Sequence, residues 1–210
     1  MHSTMGLVDV IDRIKSVPFQ GKRRVIAIAG SPASGKSTLS EAIIRAFPNS
    51  QILPMDGFHL DNKVLREQGL LLRKGAPQTF DVVGFKHLVG RLKQENDLYI
   101  PTFDRALDRS IGGAGHISSN VDTVIVEGNY LLLDQPGWRD LKPFWDMSIA
   151  LATSSDVLRA RLIERWLDYG YTPQEAREKV EENDLPNAEL VQKFGTTADL
   201  TLSHIEGLAR

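Results

Sequence analysis

The amino-acid sequence predicts an α/β fold, in which a mostly parallel sheet carries helices on both of its faces. Two observations favour this class. Short apolar runs typical of buried strands alternate along the chain with stretches of helical periodicity. The first of these runs leads directly into a glycine-rich segment, and a helical stretch follows it. The length of 210 residues suggests a single domain over 1–210.

The predicted elements follow one another in chain order. The first is an N-terminal helix within 1–20, where apolar residues recur at helical spacing until Pro18 ends the pattern. Apolar runs then predict strands at 23–30, 51–55, 98–101, 121–128, 147–153 and 198–202. Helical periodicity predicts helices near 39–46, 83–95, 155–168 and 173–182. Strands that alternate with helices in this way indicate a parallel sheet.

Local signals support the starts of two helices. Asp81 precedes the helix near 83–95 and is a natural N-cap. Thr172 caps the last predicted helix, with a proline at its first position and Glu175 closing a capping box. The glycine-rich segment 111–120 is interpreted as a long loop.

Composition argues against several classes of protein. A net charge of -2 gives no surface for a polyanion, so no nucleic-acid partner is expected. No apolar stretch reaches the about 18 residues of a membrane span, and Asp9, Asp12 and Lys15 interrupt the N-terminal run, which therefore lacks a signal-peptide core. The absence of cysteine rules out disulfides, thiol catalysis and cysteine-bound metal. A cytoplasmic location without a membrane partner is expected.

The strongest chemical signal is the segment GSPASGKST at 30–38, which fits the pattern G-x-x-x-x-G-K-[ST]. The backbone N–H groups of such a loop surround a phosphate, Lys36 reaches the β and γ phosphates, and Ser37 holds Mg²⁺. The alternative, a turn with a surface lysine, does not explain the strand before the segment and the helix after it. The predicted nucleotide-binding residues are Gly30, Ser31, Ala33, Ser34, Gly35, Lys36, Ser37 and Thr38.

Acidic residues follow two of the other predicted strands. Glu127 ends a buried strand, at a position where a carboxylate can orient the water shell of the metal; the alternative is a strand-end carboxylate in solvent. Asp56 stands in PMDGFHLD, directly after the second strand. Turn chemistry explains Asp56 and Gly57, since both residue types favour tight turns, but it leaves the phenylalanine and His59 that follow unexplained.

Six segments then follow one another along the chain. They are GSPASGKST, PMDGFH, RKGAPQTFD (73–81), PTFDR (101–105), VIVEGNYLLL (124–133) and an arginine-containing segment at 159–165. In this order they resemble the phosphoribulokinase, uridine kinase and bacterial pantothenate kinase family, over about 24–203. The segments DGFH, VEGNYLLL and ENDLPNAELV are most similar to the branch labelled fructose transport system kinase.

The resemblance implies a three-layer P-loop NTPase fold with a helical lid, which with its following helices would occupy about 155–190. It also implies an ATP-dependent phosphotransferase that uses Mg²⁺ and moves the γ-phosphate to the hydroxyl of a sugar, a nucleoside or a pantothenate-like alcohol. In this family the aspartate after the second strand contacts the acceptor hydroxyl, and Asp56 holds the matching position. Its carboxylate can orient the hydroxyl and accept its proton. The alternative function is a nucleotide-binding regulatory NTPase without a small-molecule acceptor.

Two arginines of the helix at 155–168, Arg161 and Arg165, lie four residues apart on one face. The resemblance assigns them to the lid, where they close over the triphosphate and neutralise developing charge. The alternative is a solvated face on which they pair with neighbouring acids. Arg159 falls in the apolar arc of the same helix, so it either snorkels or points to the site. The predicted catalytic residues are Lys36, Asp56, Arg161 and Arg165.

Acceptor recognition differs from the pattern of uridine kinases. Phe103 replaces a tyrosine and a later histidine is missing, which disfavours a pyrimidine nucleoside. The arginines after Phe103 would suit a carboxylate or phosphate on the acceptor, because guanidinium binds such groups bidentately. Their alternative is surface ion pairs with Asp104 and Asp108. The predicted substrate-binding residues are Asp56, His59, Arg73, Asp104, Arg105 and Arg109. Family members often pair, so the resemblance also allows a homodimer.

Overall fold

The computed structural model describes residues 3–207. Its strands are β1 (Ser3–Gly6), β2 (Arg24–Gly30), β3 (Ser50–Pro54), β4 (Leu98–Asp104), β5 (Arg109–Ile117), β6 (Thr123–Gly128), β7 (Met147–Leu151) and β8 (Leu200–Glu206). Six of them form one sheet in the order β1-β8-β7-β2-β6-β3, and the neighbouring strands pair in parallel. The remaining two, β4 and β5, pair with each other in antiparallel fashion.

The helices connect the parallel strands. They are α1 (Leu7–Ser16), α2 (Lys36–Ala46), α3 (Asn62–Glu67), α4 (Val82–Arg91), α5 (Ser155–Asp168), α6 (Pro173–Lys179) and α7 (Leu185–Phe194). A π-helical turn, Val180–Asp184, joins α6 to α7. Within residues 3–207 none of these helices combines the length and the apolar character that crossing a bilayer requires.

The alternation of side chains along β2 places one hydrophobic core on each face of the sheet. Ile26 and Ile28 belong to the core that α1 and α2 cover. Val25, Ala27 and Ala29 belong to the other core, which α4 and the β4–β5 hairpin cover. Because side chains alternate between faces along a strand, a wholly apolar strand must be buried on both sides. The predicted three-layer α/β fold is therefore confirmed.

A third, smaller core lies between α5, the π-helical turn and α7, which together with α6 we call the α5–α7 unit. It is formed by Leu158, Leu162, Val180, Leu185 and Ala188, and Ala33 of the glycine-rich loop packs against it. Arg159 forms an exposed ion pair with Glu181 within this unit. The helix face that carries Arg159 therefore does not point to the strand ends.

Most predicted elements lie where the periodicity indicates, but the interpretation of 111–120 as a loop is wrong. This segment forms most of β5, in which Gly115 stands opposite Ile100 of β4. A Cβ atom at Gly115 would lie 2.7 Å from Cγ1 of Ile100, so glycine here gives room to a buried side chain. The predicted caps are confirmed: Asp81 Oδ1 accepts from the N–H of Gly84 at 2.8 Å, and Thr172 forms its capping box.

One buried cation joins the start of β2 to the surrounding loops. The side chain of Arg23 is almost fully buried, and burial lowers its pKa. Its guanidinium donates five hydrogen bonds, which use all of its N–H groups, to backbone carbonyls. The acceptors belong to Leu92, Glu95, Asn96, Ser118 and Val121.

Candidate active site

An open cleft of about 2320 Å³ lies at the carboxyl ends of the parallel strands. Ligands of open α/β sheets bind at this edge. Its wall includes the end of β2, the segment after β3, the end of β6 and much of the α5–α7 unit. It brings together the following residues predicted from the sequence: Gly30, Ser31, Ala33, Ser34, Gly35, Lys36, Ser37, Thr38, Asp56, His59, Arg105, Glu127, Arg161 and Arg165.

The glycine-rich loop between β2 and α2 has an unusual backbone. Gly35 and Ala33 have positive φ angles of 98° and 60°, and successive right- and left-handed residues form concave anion-binding nests. Gly30 is required for a different reason. A Cβ atom there would lie 2.7 Å from Ser34 Oγ and 3.1 Å from the backbone oxygen of Leu151. This backbone is compatible with a loop that binds phosphate.

Lys36 begins α2 and reaches back over this loop. Its ammonium donates to the backbone carbonyl of Ser31 at 2.9 Å, and Ser34 Oγ nearby is buried without a hydrogen-bond partner in the described part of the chain. Burial lowers the pKa of Lys36 to about 8, against the opposing effect of Asp56 and Glu127. The buried ammonium and the unpaired hydroxyl of Ser34 are both donors that an anionic ligand could use.

The lowered pKa of Lys36 predicts how nucleotide affinity depends on pH. A group with pKa about 8 loses its positive charge as the pH rises through that value, whereas a lysine in solvent keeps it to about pH 10. We expect the affinity of the protein for ATP to fall above about pH 8, by up to about tenfold per pH unit. Calorimetric titrations with Mg²⁺ and ATP at several pH values measure this. Lys36→Arg, which stays charged, should remove the slope; an equally steep slope in that variant would contradict the assignment to Lys36.

Two oxygen-bearing side chains fit a Mg²⁺ ion beside the loop. Ser37 Oγ lies 3.4 Å from Glu127 Oε1, and the second oxygen of the carboxylate, Glu127 Oε2, is buried with no hydrogen-bond partner in residues 3–207. Burial also raises the pKa of Glu127. Mg²⁺ prefers oxygen ligands and usually takes one or two from protein, with waters and phosphates supplying the others. The donor set at Ser37 and Glu127 is therefore compatible with this ion.

Asp56 lies in a short 3₁₀ turn, Met55–Phe58, directly after β3. The next residue, Gly57, packs against β4: a Cβ atom on it would lie 2.3 Å from the backbone oxygen of Pro101. This contact explains the glycine and fixes the turn. The Asp56 carboxylate is 34% exposed, and Oδ2 lies 3.4 Å from Arg105 Nη2. Asp56 therefore faces the cleft with its carboxylate open to a ligand.

His59 both contacts the backbone and forms part of the cleft wall. Its Nδ1 lies 2.8 Å from the backbone oxygen of Asp56, and its ring packs between Phe80 and Phe103 at centroid distances of 4.0 and 4.6 Å. Burial lowers the pKa of His59, so the neutral imidazole is favoured at pH 7. A ligand contact, as predicted, and a structural hydrogen bond are therefore compatible at this position.

Two arginines of α5 face the loop and the cleft. Arg161 Nη1 donates to the backbone oxygen of Ala33 at 3.2 Å. The guanidinium of Arg165 lies 5.9 Å from the ring of Trp166 and 5.7 Å from that of Tyr169. Its Nε is buried without a hydrogen-bond partner among the described residues. A buried, unpaired N–H on a cation is costly unless a ligand accepts from it.

Three residues predicted to bind substrate do not contribute to the cleft wall. Arg73 donates from Nη1 to the backbone oxygen of Glu182 at 2.6 Å. Asp104 Oδ1 accepts from the N–H of Leu107 at 2.9 Å and so stabilises the turn between β4 and β5. Arg109 is exposed at the start of β5, opposite Asp104. The geometry therefore gives the side chains of Arg73 and Asp104 contacts within the chain, and it leaves Arg109 exposed outside the cleft wall.

Other polar residues of the cleft were missing from the predicted site. Lys74, Asn62 and Asn183 contribute to the same wall as Asp56 and His59. Lys74 follows Arg73 in the motif RKGAP. The sequence does not show that Lys74 lines the cleft whereas Arg73 does not. An asparagine in a contact looks the same in a sequence as one in a cap or turn. No signal in the sequence separates these cases.

Known proteins are similar in sequence to most of this chain. A provisionally named uridine kinase of Schizosaccharomyces pombe is 36% identical over 199 residues, which cover 88% of this chain and 84% of the relative. The chain belongs to the phosphoribulokinase, uridine kinase and bacterial pantothenate kinase family. Its members are P-loop kinases, and the protein is an ATP-dependent small-molecule kinase. No protein-family model matches the sequence.

Two further proteins are similar to this kinase. A crystal structure from Silicibacter sp. TM1040, provisionally named a fructose transport system kinase, superposes with a TM-score of 0.91 at 44% identity. The alignment covers 94% of the kinase and 98% of that chain. A pantothenate kinase of Enterococcus faecalis is 34% identical over 150 residues, 68% of the kinase but only 49% of the relative.

Proposed function

We propose that this kinase transfers the γ-phosphoryl group of ATP to a hydroxyl group of a small molecule. The main support for the proposal is that Asp56 and Lys36 line the same cleft. They also interact electrostatically, since the Asp56 carboxylate opposes the lowering of the Lys36 pKa. Phosphoryl transfer requires a group that holds the triphosphate and a group that aligns the attacking oxygen. A carboxylate that faces the loop lysine across the cleft can perform the second task.

On the nucleotide side, the loop amides and Lys36 would bind the β and γ phosphates. Ser37 and Glu127 would hold Mg²⁺, which when bound neutralises phosphate charge. Arg161 and Arg165 would then contact the equatorial oxygens of the transferred group, where charge develops. The unpaired Nε of Arg165 and its aromatic neighbours support this role, because the guanidinium is already oriented in a partly dry site.

On the acceptor side, Asp56 would accept a hydrogen bond and then the proton of the attacking hydroxyl. His59 and Phe103 would pack against the carbon skeleton of the acceptor. The Arg105 side chain is 56% exposed, and its one hydrogen bond within the described residues is to Asp56 Oδ2 at 3.4 Å. Most of its N–H groups therefore remain available for a carboxylate or a phosphate.

Matched pairs of acceptors test both the activity and this preference. We expect formation of ADP and phosphorylated product with an alcohol that carries an anionic group. The neutral partner of each pair should have a kcat/KM at least about tenfold lower, because it lacks one charge-assisted hydrogen bond. Sugars with sugar acids and sugar phosphates, and pantothenate with pantothenyl alcohol, form suitable pairs. Arg105→Gln should reduce the discrimination selectively.

The panel also separates the alternatives. ATP hydrolysis that no alcohol changes would contradict the proposal and favour a regulatory NTPase. Equal rates with both members of every pair would contradict the role of Arg105 alone. A cytoplasmic location and a homodimer stay predictions.

A further inference from the structure

The segment 73–75 connects the α5–α7 unit to the rest of the cleft. Asn183 Nδ2 donates to the backbone oxygen of Lys74 at 2.9 Å, and Arg73 Nη1 donates to the backbone oxygen of Glu182 at 2.6 Å. Both partners belong to the π-helical turn between α6 and α7. π-Helical turns are rare in proteins, and those that occur often lie at functional sites. The backbone of this segment is therefore fixed to the α5–α7 unit.

The side chain of Lys74 makes the opposite connection, to the turn between β4 and β5. Its ammonium donates to Asn62 Oδ1 at 2.7 Å and to the backbone oxygen of Asp108 at 2.6 Å, and it forms an ion pair with Asp108 Oδ1 at 2.9 Å. Asn62 Nδ2 in turn donates to Asp108 Oδ2 at 2.9 Å. The Lys74 side chain is only 14% exposed. Oxygen atoms thus surround a cation that is nearly removed from solvent.

These contacts hold the turn in a conformation that it would otherwise avoid. Asp108 has a φ of 50°, a left-handed value that costs free energy for a residue other than glycine unless its surroundings impose it. Arg105 lies in the same turn, three residues earlier, and reaches Asp56. The position of Arg105 over the acceptor end of the cleft therefore depends on the contacts between Lys74 and Asp108.

We propose that Lys74 is a positioning residue for acceptor binding, which fixes the β4–β5 turn and Arg105 relative to both Asp56 and the α5–α7 unit. The inference rests on the proposed function, since it assumes that nucleotide binds beneath the α5–α7 unit. When a nucleotide binds and orders the α5–α7 unit, Asn183 and Lys74 transmit this ordering to the β4–β5 turn. The acceptor end of the cleft is assembled when the nucleotide is already in place.

Hydrogen exchange measured by mass spectrometry tests this without a known acceptor. With Mg²⁺ and the non-hydrolysable analogue AMP-PNP, exchange in the wild type should slow in the loop 30–38, in the α5–α7 unit and in the turn 105–108. We expect slowing of about fivefold or more in the turn, the lower end of ordinary coupling between sites. In Lys74→Met, the loop and the α5–α7 unit should keep their protection, while the turn loses its response.

Asn183→Ala separates transmission from local stability. This variant leaves the contacts of Lys74 with Asp108 intact, so the exchange of the turn without nucleotide should stay as in the wild type, while its response to AMP-PNP is weakened. The double variant Arg73→Met/Asn183→Ala removes both hydrogen bonds to the π-helical turn, and the response should then be lost. A purely structural role of Lys74 would leave the response in the double variant unchanged, and this result would overturn the proposal. Lys86→Met, which removes an exposed ion pair with Asp140 outside the cleft, is the matched control.

The remaining outcomes also decide between the claims. A wild-type response in the loop and the α5–α7 unit but not in the turn would overturn the positioning role and leave the proposed function standing. No response in the loop would overturn both, because the nucleotide would then not bind where the proposed function requires it.

Discussion

Replacement of Asp56 by asparagine is expected to lower kcat by roughly 10²–10⁴-fold, the usual contribution of a positioned general base. Asparagine keeps the size of the side chain and can contact a hydroxyl, but it cannot accept the proton. The contact of His59 with the backbone of residue 56 stays in place, so the affinity for ATP should change little. Turnover in a coupled ADP assay, with an acceptor from the panel, and calorimetry with ATP measure the two quantities.

The matched control for this variant is Asp12→Asn. Asp12 forms an exposed ion pair with Lys15 on α1 and does not line the cleft. Exposed pairs contribute little to stability. We expect unchanged turnover in this control. Turnover close to that of the wild type in Asp56→Asn would contradict the proposed role of the carboxylate.

Replacement of Arg23 by methionine is expected to lower the free energy of unfolding by about 3–5 kcal/mol, as the loss of one partner from a buried, charged network typically does. Methionine fills part of the volume but donates no hydrogen bond. Five backbone carbonyls in buried or partly buried positions would lose the guanidinium as their donor, and among them that of Ser118 keeps a second donor, the N–H of Val121. Each carbonyl left without a donor carries a desolvation cost. Urea unfolding followed by circular dichroism measures the change.

Arg91→Met is the control for this effect. Arg91 pairs with Glu95 one turn away on the surface near the end of α4, and such exposed pairs contribute about 0–1 kcal/mol. If both variants unfolded at the same urea concentration, the carbonyl network would not be a major source of stability.

The sequence allowed the central layers and the phosphate-binding loop to be predicted, for a common physical reason. A strand buried on both faces must be apolar at every position, so β2, β6 and β7 are visible as runs. The loop can be recognised in the sequence because its backbone needs glycine at specific positions. At Gly30, for example, a Cβ atom would lie only 2.7 Å from Ser34 Oγ. Local requirements of this kind leave a pattern in a short window.

The contacts that complete the site depend on residues far apart in the chain. β5 was missed because glycine has low strand propensity, yet Gly115 makes room for Ile100 in a hairpin that covers the core. Lys74 and Asn183 are 109 positions apart, and neither carries a periodic signal. Arg23 looks like the charged start of a strand, although its guanidinium is among the most completely buried groups.

The tight packing of Gly57 against Pro101 has a consequence for altering acceptor choice by laboratory evolution. With a Cβ atom only 2.3 Å from a backbone oxygen, every substitution at Gly57 would push the hairpin away from the carboxylate beside it. Libraries that aim at new acceptors should therefore keep Gly57 constant, together with Asp108, whose contacts with Lys74 hold the turn. They should diversify 105–107, where side chains are exposed. New specificities would then arise without disturbing the geometry of phosphoryl transfer.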